Sequence, residues 1–159
     1  MNRVLSWEEY FMGIAQLSAM RSKDKNTRVG TCIVNQKNRI VAIGYNGFPN
    51  GCDDRVFPWG TEGDFVEQKY AYVIHAELNA ILNAACSVEG CTLYTSLFPC
   101  NECTKAIIQA GIREVVFLSD KYHDTPAAIA ARKMLDAAAV IYREYRGSKE
   151  QVTFNFEQV

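Results

Sequence analysis

Residues 91–119 read "CTLYTSLFPCNECTKAIIQAGIREVVFLS". CTLYTSL (91–97) is rich in strand-forming residues, CNECTKAIIQAG (100–111) has helical spacing and stops at Gly111, and REVVFLS (113–119) is strand-like again. A strand, a crossover helix and a second strand of these lengths join parallel neighbours in one sheet. The alternation continues outward: HAELNAILNAA (75–85) and TPAAIAARKMLDAAA (125–139) read as helices, and VIYREYR (140–146) as a strand.

Toward the N-terminus the pattern changes. RVGTCIVNQKNRIVAIGYNG (28–47) holds two β-branched runs around NQKN, which predicts a hairpin and therefore an antiparallel portion of the sheet. Residues 6–21 open with Ser6 and Glu9, a reciprocal capping pair, and Tyr10, Ile14 and Leu17 with Met20 or Met12 fall near helical spacing. Between hairpin and second helix, residues 48–68 carry two prolines, several glycines and five acidic residues without a period, so a long loop is predicted, of the kind that serves as a functional lid. VTFNF (152–156) is expected as an edge strand or an interface segment. The fold class is α/β: a three-layer α/β/α sandwich with a mixed sheet of about five strands, in one domain spanning residues 1–159.

The 159 residues suffice for a sizeable core, and 48% hydrophobic with 22% charged residues is a folded composition. Glu8 and Glu9 stand where a secretory leader would be apolar, and no run approaches membrane-spanning length, so no membrane association and a cytoplasmic location are expected. A net charge of −1 argues against nucleic acid as partner. Six cysteines in a chain that needs no disulfide framework point instead to metal chemistry.

Cys100 and Cys103 stand three apart at a predicted helix start, behind Pro99. That spacing puts both sulfurs on nearly one face, and the free N–H groups there favour the thiolate. By itself the pair suits a structural zinc, a redox couple or half of a catalytic metal site. A catalytic zinc needs three protein ligands and an open position. His75 is the candidate third ligand, and Glu77 stands two residues later. Two thiolates offset the charge of the ion, which leaves its water less acidified and makes Glu77 valuable as general acid and base. H75-A-E77 with P99-C100-N-E-C103 matches the H-x-E…P-C-x-x-C pattern of zinc deaminases. Cys32, Cys86 and Cys91 read as buried small hydrophobes, His123 as a surface group or one that supports the site without binding metal, and Cys52 as a candidate for a second metal site.

AMRSKDKNTRVG (19–30), GYNGFPNGC (44–52), HAELNAI (75–81), LFPCNEC (97–103) and SDKYHD (119–124) together resemble the deoxycytidylate (dCMP) deaminase family of the zinc-dependent cytidine deaminase superfamily, over nearly the whole chain. The resemblance implies conversion of dCMP to dUMP and ammonia, a supply of thymidylate precursor, Zn²⁺ on His75, Cys100 and Cys103, and proton transfer by Glu77. It places Asn26 near the sugar and Ser22 and Tyr122 near the phosphate, with Arg21, Lys23, Lys25 and Lys121 as the available cations. It further implies a homo-hexamer activated by dCTP and inhibited by dTTP, an effector site at Gly44, Tyr45, Asn46 and Gly47, and Mg²⁺ accompanying the triphosphate. The competing readings are a zinc deaminase of another nucleotide or nucleic-acid base, for which basic and stacking groups are too few here, and a nucleotide-sensing module that retains zinc without turnover.

Overall fold

The structure, a computed structural model, describes residues 3–157. The chain begins with α1 (Trp7–Ala19), forms the hairpin β1 (Gly30–Val34) and β2 (Ile40–Tyr45), and then enters α2 (Ala76–Leu82). There follow β3 (Thr92–Leu97), α3 (Asn101–Gln109), β4 (Glu114–Ser119), α4 (Pro126–Ala137) and β5 (Ile141–Glu144). The sheet order is β2-β1-β3-β4-β5. β1 is antiparallel to both β2 and β3, whereas β3, β4 and β5 are parallel. This is the mixed sheet that the two sequence patterns require.

Period-two alternation builds the three layers. Cys32 and Val34 of β1, Tyr94 of β3 and Val116 of β4 face α1, which covers them with Phe11, Met12 and Ala15. Ile33, Leu93, Val115 and Phe117 face the other way, toward Ala80 of α2, Ile107 of α3, and Ala131 and Leu135 of α4. Both faces of β1 are covered and all five of its residues are buried.

This packing selects the buried face of α1. The capping box forms, with Ser6 N donating to Glu9 Oε2 at 2.7 Å and Glu9 N donating to Ser6 Oγ at 3.2 Å. Yet Tyr10, Leu17 and Met20 are exposed, and the buried stripe is Phe11, Met12, Ala15, Ser18 and Ala19. The cause lies in Gly30: a Cβ there would stand 1.8 Å from the Ala15 carbonyl oxygen and 2.5 Å from the Ala19 nitrogen. The helix backbone approaches the strand so closely that only small residues fit between them.

Some expectations are revised. α2 stops at Leu82 instead of running to residue 85, where Asn83 bonds back to the Asn79 carbonyl at 2.8 Å, and Cys86 beyond it is exposed, not buried. Residues 48–68 do form the long loop expected, and it is a packed one. Phe48 packs tilted against Trp59 at 4.2 Å between centroids, Phe57 meets Tyr72 edge-on at 5.1 Å, and short 3₁₀ turns form at Phe65–Glu67 and, just beyond, Lys69–Ala71. Of the two expectations for VTFNF the edge strand does not form, and its Val152, Phe154 and Phe156 are exposed, as an interface segment would be before it is covered. No helix among the described residues is long and apolar enough to cross a membrane.

The strand directions gather one end of the sheet. Gly30 pairs with Tyr45, Thr31 with Thr95, and Leu97 with Ser119. The approach to β1 and the exits of β2, β3 and β4 therefore lie side by side. The chain before α2 is drawn to the same end by a bridge between Gly47 and Ile74, with N–H to O distances of 3.1 and 2.8 Å. Replacing Gly30 with Ala forces α1 off β1; denaturant unfolding should show a loss of about 1–3 kcal/mol, the scale of an overpacked core.

Candidate active site

The two halves of the candidate metal centre stand at helix starts. His75 is the N-cap of α2 and Cys100 the N-cap of α3, both in extended backbone conformation. Cys100 Sγ accepts from the Cys103 backbone N–H at 3.5 Å, so the i, i+3 spacing brings both sulfurs to the first turn. His75 turns Nδ1 toward Cys100 Sγ, 3.3 Å away. The ligand atoms of His75, Cys100 and Cys103 all lie within 4.8 Å of one another. Donors around one tetrahedral zinc stand roughly 3.6–3.8 Å apart. One nitrogen and two sulfurs at this spacing fit that ion, with room left for a fourth ligand.

The charges show how closely these groups interact. Cys100 is drawn down to about 4, first by the hydrogen bond from the Cys103 thiol and then by His75 against burial. Cys103 is pushed up because it holds its proton toward Cys100 and is buried. His75 is raised by its contact with the Cys100 sulfur, against burial. Glu77, 3% exposed in the first turn of α2, is pushed up to about 7, chiefly by desolvation. A carboxyl poised near neutrality can both take and give a proton.

His75, Glu77 and Cys100 open onto a cavity of about 390 Å³ at the gathered end of the sheet. Thr27 and Asn46 line it from the β1 and β2 side, and Asp120 and Tyr122 from beyond β4. Tyr122 lines the cavity and remains 48% exposed. Ser22 and Asn26 are not among the residues that line this cavity. Ser22 is buried and gives its hydroxyl to the Asn46 carbonyl at 2.9 Å. Asn26 is exposed, and its backbone N–H binds Asp24 Oδ1 at 2.8 Å. From this segment it is Asp24 and Thr27 that reach the cavity wall.

The segment 44–47 makes its contacts within the chain. Gly44 admits the α2 backbone, since a Cβ there would stand 2.4 Å from the Ala76 carbonyl oxygen. Tyr45 accepts from Asn79 Nδ2 at 2.8 Å. Asn46 accepts the Val29 N–H and donates to the Thr27 carbonyl, both at 2.9 Å. Cys52 joins no group of metal-ligating side chains among the described residues, and His123 is exposed with Nδ1 3.1 Å from the Asp120 carbonyl oxygen.

Sequence reading missed a buried ion pair. Lys69 Nζ lies 2.6 Å from Asp24 Oδ2, with the residues 7% and 3% exposed, and both line the cavity. Burial alone would raise the Asp24 carboxyl, but the hydrogen bonds from Lys69, Asn26 and Thr27 outweigh it and hold it below its ordinary range. Asp24 followed by donors two and three residues on is a local turn signal. Nothing local marks Lys69, because its partner is 45 positions away.

Comparison with known proteins follows the same residues. The model of the family "Cytidine and deoxycytidylate deaminase zinc-binding region" matches residues 5–119. The deoxycytidylate deaminase of Homo sapiens is 54% identical over 157 residues, which are 98% of this chain and 88% of the human protein. A probable deoxycytidylate deaminase of Drosophila melanogaster is 54% identical over 160 residues, covering 96% of this chain and 79% of that one. Among solved structures, the dCMP deaminase of cyanophage S-TIM5 in complex with dCMP and dUMP superposes with a TM-score of 0.68 at 27% identity, over 86% of this chain and 95% of the phage protein. A family match across the zinc-binding region, near-complete relatives and a shared fold lead to one assignment: the chain belongs to the deoxycytidylate deaminases of the cytidine deaminase superfamily.

Proposed function

We propose that this chain catalyses the zinc-dependent hydrolysis of dCMP to dUMP and ammonia, with His75, Cys100 and Cys103 holding the metal and Glu77 carrying protons. The observation that carries the reading is the convergence of one imidazole and two thiols within 4.8 Å, beside a buried carboxyl on a cavity wall. The human relative bears the name of this activity, and the phage relative was solved with its substrate and product. When bound, the metal supplies Lewis acidity that makes water nucleophilic at neutral pH.

The chain's own residues do the rest. Glu77 takes a proton from the attacking water and delivers one to N3 of the pyrimidine as the bond to C4 forms. It then takes the proton of the new C4 hydroxyl and passes it to the amino group, which leaves C4 as ammonia while the C4 oxygen becomes a carbonyl. Burial keeps this carboxyl near neutrality, where both directions of transfer are accessible. Asn46 holds the approach to β1 in place, and Tyr122 offers a hydroxyl to the part of the ligand that reaches the cavity mouth.

The reading extends to activation by dCTP and inhibition by dTTP through residues 44–47, in a homo-hexameric assembly, with Mg²⁺ on the triphosphate. What supports a regulatory role is that the segment touches both sides of the site. Tyr45 and Gly47 brace α2 and the residue before His75, while Asn46 braces residues 27–29 at the cavity wall. A nucleotide bound there would act on metal ligand and cavity together.

Ammonia release should be highest for dCMP among dCMP, CMP, deoxycytidine and a cytidine-containing oligonucleotide, and its dependence on dCMP should turn sigmoidal with dTTP and hyperbolic with dCTP. Preference for the free nucleoside would overturn the substrate assignment. Glu77→Gln should lower turnover by about 10²–10⁴-fold, the range of acid–base catalysis, with zinc content by elemental analysis unchanged. Cys100→Ala should lose the bound zinc itself, and a chelator should abolish the activity of the unsubstituted protein until Zn²⁺ is returned.

A further inference from the structure

The Asp24–Lys69 pair is neither a metal ligand nor the proton carrier, yet both members are more than nine-tenths buried in the cavity wall. Burying two charges is expensive in desolvation, and such a pair is weak evidence for stability by itself. Its chemistry is asymmetric. Three hydrogen bonds hold Asp24: Oδ1 accepts the Asn26 and Thr27 N–H groups at 2.8 and 3.1 Å, and Oδ2 accepts from Lys69. The ammonium has three donors, and among the described residues Asp24 is the partner that takes one of them. The Tyr70 ring centroid lies 5.6 Å from the ammonium on the same wall, and two N–H donors remain for a ligand.

The basic residues suggested by the sequence lie off the cavity wall. Lys23 pairs with Asp54, the Arg21 guanidinium lies 6.0 Å from the Tyr45 ring centroid, and the Lys121 ammonium lies 4.9 Å from that of Tyr122. Lys25 is exposed, and none of the four lines the cavity. Among the described lining residues, Lys69 is the one lysine or arginine, against the carboxyl groups of Asp24, Glu77 and Asp120. Asp24 is paired with Lys69 and Asp120 with Arg132, so Lys69 is the cationic side chain of the described lining that a phosphate dianion entering this cavity would meet. Its place is fixed by the main chain, because Lys69 N donates to the Gly60 carbonyl at 2.8 Å and its own carbonyl accepts from Tyr72 and Val73 at 3.0 and 2.9 Å.

We propose that Lys69, oriented by Asp24, receives the 5′-phosphate of the nucleotide and thereby selects dCMP over the nucleoside. The inference rests on the dCMP deaminase reading above. Lys69 is then a specificity residue that touches substrate, and Asp24 is a positioning residue that acts through it.

The double variant Asp24→Asn/Lys69→Met removes both charges together and leaves no buried ion unpaired. With zinc loaded, its kcat/KM for dCMP relative to deoxycytidine should fall by about 10- to 100-fold, the scale of a hydrogen bond to a charged group, with the change carried by KM for dCMP. Lys69→Arg, which keeps the charge, should retain most of the preference. If the double variant loses both activities in equal proportion, the pair is only a tie between residues 24–27 and the Lys69–Ala71 turn, and the inference is overturned. Should that variant fail to fold, Lys69→Gln serves, read by competitive inhibition: dUMP should weaken by 10- to 100-fold relative to deoxyuridine, and an equal change in both overturns the inference. A wild-type enzyme without preference for dCMP contradicts the function itself; a wild-type preference that survives in the double variant contradicts only the role of Lys69.

Discussion

The approach of His75 Nδ1 to Cys100 Sγ, 3.3 Å across a gap of 25 positions, is the contact on which the rest of the site depends. It exists because α2 and α3 begin at the same end of the sheet. β1 runs antiparallel to β3, so the start of one strand lies beside the end of the other, and the bridge between Gly47 and Ile74 delivers the chain to His75 at that level. Had β1 paired parallel to β3, residues 24–29 would lie at the far end and the cavity would lack a wall. The metal centre and the ligand cavity are two consequences of one strand direction.

The same end of the sheet concentrates buried charge. Glu77 is surrounded so completely that desolvation moves it to neutrality, which is unfavourable for a folded protein and useful for a proton carrier. Asp24 and Lys69 are buried as a pair and remain bonded to each other. At the opposite side of the molecule ions serve a different end. Arg143 of β5 makes a bidentate contact with Glu8 of α1 at 3.0 and 3.1 Å and reaches Glu114 of β4 at 2.9 Å, all three partly exposed. That network ties the first helix to the last strands, in solvent that screens its strength.

Close backbone packing is the second organising device. Gly30 admits α1 against β1, and Gly44 admits α2 against β2, each at a distance where a methyl group would collide with helix backbone. These glycines decide which face of α1 is buried, and they seat the helix whose first turn carries Glu77. A strand sequence chosen only for hydrophobicity would have placed side chains there and held both helices away.

The sequence by itself determined what neighbouring residues can encode. The capping box at Ser6 and Glu9, the alternation through β3 and β4, the i, i+3 placement of Cys100 and Cys103 and the two-residue step from His75 to Glu77 depend on local geometry, so they were legible before any fold was known. The parallel portion of the sheet was legible for the same reason, because a crossover helix leaves few other arrangements. Only the tertiary structure decided which face of α1 is core, that Ser22 is spent on the Asn46 carbonyl, that Cys86 is exposed, and that Lys69 meets Asp24 in the cavity wall. Each of those outcomes depends on partners far along the chain, brought together by strand order, and a residue's chemistry alone does not reveal which distant group will share its burial.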